Sequence, residues 1–89
     1  MSDDYTYLAE NGECGSVLVV LAQCFPEMLD LGQIYHLSGS SGTEAAVDFL
    51  LVHGFISDSF VPREGHPRQR RRMYYITSLG LQVVAQLIA

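Results

Sequence analysis

The chain has 89 residues, of which 48% are hydrophobic and 17% charged, and its formal net charge is −5. This composition points to one small folded domain; it excludes a disordered chain, and the length excludes a Rossmann or barrel enzyme. The longest unbroken apolar run, residues 17–22, is six residues, against the ~20 that a bilayer span requires.

In chain order, residues 1–12 are polar with Tyr5, Tyr7 and Leu8 interspersed, and Asn11-Gly12 is a turn signal. They read as an N-terminal arm preceding a domain over 13–89. The Met1-Ser2-Asp3-Asp4 start is acidic rather than signal-like, so a cytoplasmic protein is expected. Residues 15–25 carry apolar side chains in nearly every helical direction, which predicts a buried first helix with Ser16 as its cap. Asp30 is the predicted N-cap of a second helix over 30–38, and the Ser/Gly tract at 38–42 is a turn. A third helix over 43–53 starts at Thr43, buries Ala46, Val47 and Leu50, and stops at Gly54.

The pattern then changes period. Ile56, Asp58 and Phe60 alternate with Ser57, Ser59 and Val61, which predicts a strand over 55–61. Two prolines and a glycine mark a loop at 62–69, and 71–77 is a second strand of aromatic and β-branched types. Tyr74 and Tyr75 should point to opposite faces, one of them into the core. Ser78 is the predicted cap of a last helix over 79–89, whose wide apolar arc exceeds what one domain can cover. Leu81, Val84 and Ile88 on that arc are candidates for a dimer interface.

Charge is distributed unevenly. Residues 1–62 hold nine acids and no Lys or Arg; residues 63–89 hold five arginines and one acid, Glu64, a local balance of +4. All the arginines, Arg63, Arg68, Arg70, Arg71 and Arg72, lie within ten residues. Such a cluster suits phosphate or an acidic partner. Enzyme signatures are missing: Gly39-Ser40-Ser41-Gly42 lacks the lysine of a phosphate loop. Cys14, Cys24, His36, His53 and His66 have no metal-ligand spacing, so neither a metal nor a cofactor is expected.

The order helix, helix, helix, strand, basic loop, strand, helix resembles the winged-helix domain over residues 15–89. Gly42-Thr43 precedes the third helix. The stretch Leu50-Leu51-Val52-His53-Gly54-Phe55-Ile56 is similar to the Leu-x-x-x-Gly-Leu-Ile end of a winged-helix recognition helix. Arg70-Arg71-Arg72-Met73-Tyr74-Tyr75-Ile76-Thr77-Ser78-Leu79-Gly80 is similar to the basic-Tyr-Tyr-x-Leu-Thr-x-x-Gly segment of PadR-like and MarR-like regulators. The resemblance implies an α+β fold: a three-helix helix-turn-helix core, a two-stranded wing and a C-terminal helix. It also implies duplex DNA as partner, with the third helix in the major groove and the wing arginines on phosphate or in the minor groove.

The expected exposed face of the third helix departs from that pattern. Thr43, Glu44, Asp48, Leu51 and Val52 replace the basic and amide side chains that usually read bases. Two functions therefore stand side by side. One is a homodimeric, DNA-binding transcriptional regulator that works through its arginines. The other is a winged-helix protein-interaction module, an assembly subunit or an acidic inhibitor of a nucleic-acid-binding protein, that uses the acidic third-helix face.

Overall fold

Helix α1, Gly12–Cys24, is the hub of the molecule: it packs against α2 (Leu31–Ser38), α3 (Thr43–Val52), α4 (Ser78–Leu87) and strand β2. The computed structural model describes residues 12–39 and 41–87; the proposed arm, apart from Gly12, lies outside them. α1 begins three residues before its predicted start. Cys14 is the reason: it is buried and stands on one face with Val17, Leu18 and Leu21, the i, i+3, i+4, i+7 row of a helix that faces a core. Ser16 is consequently an exposed interior residue rather than a cap.

Asp30 caps α2 as expected. Its carboxylate accepts from the Gln33 N–H at 2.8 Å, and the Gln33 side chain accepts from the Asp30 N–H at 2.9 Å, a reciprocal capping box. Thr43 is the first residue of α3 and Gly42 its cap. The Glu13 carboxylate lies against Gly42, at the positive end of α3 where an anion is favoured.

Strands β1 (Ile56–Arg63) and β2 (His66–Ile76) form one antiparallel hairpin, Ile56 opposite Ile76 and Pro62 opposite Arg70. Both are longer than predicted. The expected loop at 62–69 is a tight turn at Glu64-Gly65 flanked by strand. Gly65 has φ +77°, a conformation glycine adopts without steric cost. The prolines are tolerated because a two-stranded ribbon has only edge strands. Pairing slips between Pro62 and Arg63, so that Arg63 faces His66 while residues 67–69 bulge from β2. At its base β2 has a second neighbour: Leu29 bridges Tyr74 on the side away from β1.

The core contains Val17, Leu18, Leu21, Ile34, Val47 and Leu50 from the helices, Ile56, Tyr74 and Ile76 from the hairpin base, and Val83 and Val84 from α4. Burying each large aliphatic side chain here contributes roughly 1.5–3 kcal/mol. The last helix is capped by Thr77, not Ser78: the Gly80 N–H donates to Thr77 Oγ1 at 3.1 Å. The same hydroxyl donates to the carbonyls of Gly54 and Phe55, at 2.7 and 3.0 Å. One side chain thus ties the end of β2 to the α3–β1 connection. The architecture is α+β, with four helices and a two-stranded hairpin among the described residues.

Candidate nucleic-acid interface

The hairpin leaves the body as it runs toward its turn. Ile56, Tyr74 and Ile76 at the base are buried, whereas Phe60 and residues 62–66 and 68–72 are exposed. The loss of burial follows from the lengths of the two strands, which continue past the helices they pack on. This places the arginines on an extended two-stranded arm rather than in a loose loop.

The five arginines divide into two sets. Those nearest the body are held by acids. Arg71 pairs with Asp30, the α2 cap, across 41 residues of sequence. Arg72 Nε donates to Asp58 Oδ2 at 2.7 Å, and its guanidinium lies 5.2 Å from the centre of the Tyr74 ring. The outer three, Arg63, Arg68 and Arg70, form no ion pair among the described residues; Arg63 makes one hydrogen bond, to Gln69 Oε1 at 3.4 Å. Arg68 stands in the bulge, and Arg70 shares a strand face with Arg72.

The charges of the body reach the hairpin base. The Asp30 carboxyl is held below its ordinary range by the Gln33 N–H, and further by the bond and charge of Arg71, against an opposing effect of burial. Arg72 is pushed above its usual value first by its bond to Asp58, and its surroundings include the charge of Asp48. Burial raises the Tyr74 hydroxyl, Arg72 lowers it, and Asp58, Asp48 and Glu44 raise it again. The charges of Asp48 and Glu44 on α3 are thus felt at the hairpin base.

Of the five α3 positions expected to be exposed, Glu44, Asp48 and Val52 are, Val52 at 81%. Thr43 is 2% exposed and lies 3.3 Å from Ser38 Oγ, because it closes the α2–α3 turn. Leu51 is half-buried against the core. Neither Glu44 nor Asp48 forms an ion pair among the described residues. The candidate interface on α4 is also altered. Val84 is 7% exposed within its own chain and Leu81 packs partly against the core, since Gly80, Val83 and Val84 supply the inward row. Ile88 lies outside the described residues.

Sequence reasoning missed Asp30 and Asp58 as the partners of Arg71 and Arg72, and Phe60 as an exposed aromatic. Strand register carries the second pairing: once Ile56 is set opposite Ile76, Asp58 stands one step from Arg72 on the same face. The first pairing joins distant elements and has no local signal. Cys14, not Cys24, is the cysteine fully enclosed by the core.

Among the described residues no group of three or more His, Cys, Asp or Glu side chains converges to hold a metal, and no helix is long and apolar enough to cross a membrane. No protein-family model and no curated protein matches the chain.

Proposed function

We propose that this chain is a winged-helix DNA-binding protein that holds duplex DNA through the outer part of its hairpin. The observation that carries the reading is the separation of the arginines: among the described residues Arg63, Arg68 and Arg70 stand outside any ion pair, on an arm that projects from the body. Guanidinium groups presented this way can pair with phosphates or enter a narrow minor groove. The element order and the Leu29–Tyr74 bridge, which seats the hairpin on the helical core, support the winged-helix assignment. A role in transcriptional regulation is what the resemblance adds.

Glu44 and Asp48 set the division of labour. Two adjacent carboxylates with no ion-pair partner among the described residues oppose close approach of α3 to phosphates, so the hairpin supplies the affinity and α3 contributes little base readout. The expected behaviour is weak sequence discrimination with a steep dependence on salt, each released phosphate counterion adding about 0.9 to the slope of log K against log salt. Fluorescence anisotropy on a random duplex at low and moderate salt tests this. Arg68→Ala/Arg70→Ala should lower the slope by about 2 with the fold intact. Absence of binding by the unaltered protein at low salt would overturn the reading.

A second reading, a protein-interaction module, is favoured by Val52 and Phe60, which are 81% and 57% exposed. Large apolar side chains in such settings are common anchors of protein interfaces.

A further inference from the structure

Two exposed rows of charge on this molecule are opposite in sign and unpaired among the described residues. Along α3, Glu44, Asp48 and Val52 are four residues apart and form one row; the two carboxylates have no ion-pair partner among the described residues. Along the hairpin, Arg68 and Arg70 likewise have none, and Phe60 is exposed on the strand face that carries Arg70. Each row thus combines two unpaired charges of one sign with a large exposed apolar side chain.

We propose that the hairpin of one copy docks on α3 of a second copy, Arg68 and Arg70 against Glu44 and Asp48, with Phe60 against Val52. Related by a two-fold axis, two copies make the contact twice. Such an interface is isologous, each copy giving and receiving the same contact. The inference does not depend on the DNA reading, although it engages the same arginines: a protein that binds no DNA could still pair in this way.

Sedimentation equilibrium in the absence of nucleic acid tests it. The net charge of −5 makes the sign of the salt effect informative. Two acidic chains held by apolar contacts alone repel less as salt rises, so they associate more tightly. A dimer held by complementary rows must instead dissociate between about 0.1 and about 1 M salt, over which the screening length falls from about 10 to about 3 Å.

Charge reversal supplies the second arm. Glu44→Arg/Asp48→Arg and Arg68→Glu/Arg70→Glu should each weaken self-association by about tenfold or more, since like charges then face one another. Mixed in equal amounts, the two variants should form a heterodimer, because both contacts are then complementary again. All six positions are exposed, and far-UV circular dichroism checks each variant's fold. Should a reversed variant misfold, Glu44→Gln/Asp48→Asn gives a smaller loss of association, because it removes the attraction without adding repulsion. A monomer at every salt concentration overturns the proposal, as does a dimer that tightens with salt or is indifferent to the reversals, or a mixture that fails to pair.

Discussion

Leu29 and Tyr74 exchange both of their backbone hydrogen bonds: the Leu29 N–H donates to the Tyr74 carbonyl at 2.9 Å and the Tyr74 N–H to the Leu29 carbonyl at 2.7 Å. The pair joins the α1–α2 connection to β2 at the point where the hairpin enters the core. It also fixes which way β2 faces. Because Tyr74 turns its N–H toward Leu29, the alternation of an antiparallel ladder turns the Arg72 N–H outward as well, where no strand receives it. Hydrogen exchange should therefore place the Leu29 and Tyr74 amides with the slowly exchanging core and the Arg72 amide with the rapidly exchanging surface. Equal rates at Tyr74 and Arg72 would mean that the hairpin is not anchored by this bridge.

That bridge marks where sequence reading stops. The helices were legible because each carries a local signal: Asp30 three residues before Gln33, Thr43 ahead of an Ala-Val-Leu row, Gly54 at the end of α3, where its φ is +77°. Period-two alternation likewise located the hairpin. Its turn was misread because Pro62 and Pro67 signal a loop in any context, whereas a two-stranded ribbon accepts them at its edges. Thr77 was passed over for Ser78 because both are cap residues and only the tertiary contact with Gly54 and Phe55 distinguishes them. The arginine cluster was visible as composition. Its division into paired and unpaired members was not, since Asp30 and Arg71 are 41 residues apart.

Asp30 joins the α2 cap to Arg71, and two substitutions separate these roles. Asp30→Ala removes the cap and should cost about 1 kcal/mol in chemical denaturation. Asp30→Asn retains an acceptor of similar capping strength and removes only the charge, so it should cost less: the Arg71 pair is half exposed, and such pairs contribute between about 0 and 1 kcal/mol. The pH dependence has a definite sign. A folded carboxyl held below its unfolded value of about 3.9 stabilises fully above that value, and the contribution is lost as pH falls through the folded pKa. The unaltered protein should therefore lose stability below about pH 4 more steeply than Asp30→Asn. Identical acid profiles would show that the Asp30 charge contributes nothing.

Gly80 is constrained by contact rather than by conformation. A Cβ at this position would run into the carbonyl oxygen of Phe55 and come within 2.6 Å of Ile76 Cγ1. The carbonyl is not free to move, because it accepts from the Thr77 N–H at 3.1 Å and from the Thr77 hydroxyl at 3.0 Å. Gly80→Ala should therefore destabilise the fold by about 1–3 kcal/mol, despite alanine's advantage of about 1 kcal/mol in a helix interior. Gly12→Ala is the control. A Cβ there meets nothing within 4 Å among the described residues, so the change should be neutral or slightly stabilising. Thermal unfolding of the two variants gives the comparison, and equal melting temperatures would contradict the close approach at Gly80.

The ion pair between Arg72 and Asp58 bears on the proposed contact with DNA. At 2.7 Å, it neutralises one arginine on the strand face that also carries Arg70, and it adds a carboxylate that repels phosphate. Asp58→Asn leaves a side chain of similar shape that can still accept from Arg72 Nε but no longer neutralises the guanidinium. The pair is partly exposed and screened by solvent, so the fold should survive the change. Binding to a random duplex should then tighten, and the salt slope should increase by up to about 0.9, the value for one further phosphate contact. Combining the change with Arg72→Ala should return both quantities to, or below, those of the unaltered protein, because Asp58 acts through that arginine. Tighter binding with an unchanged slope would mean that removing the carboxylate relieved repulsion without adding a contact, and that Arg72 stays off the DNA.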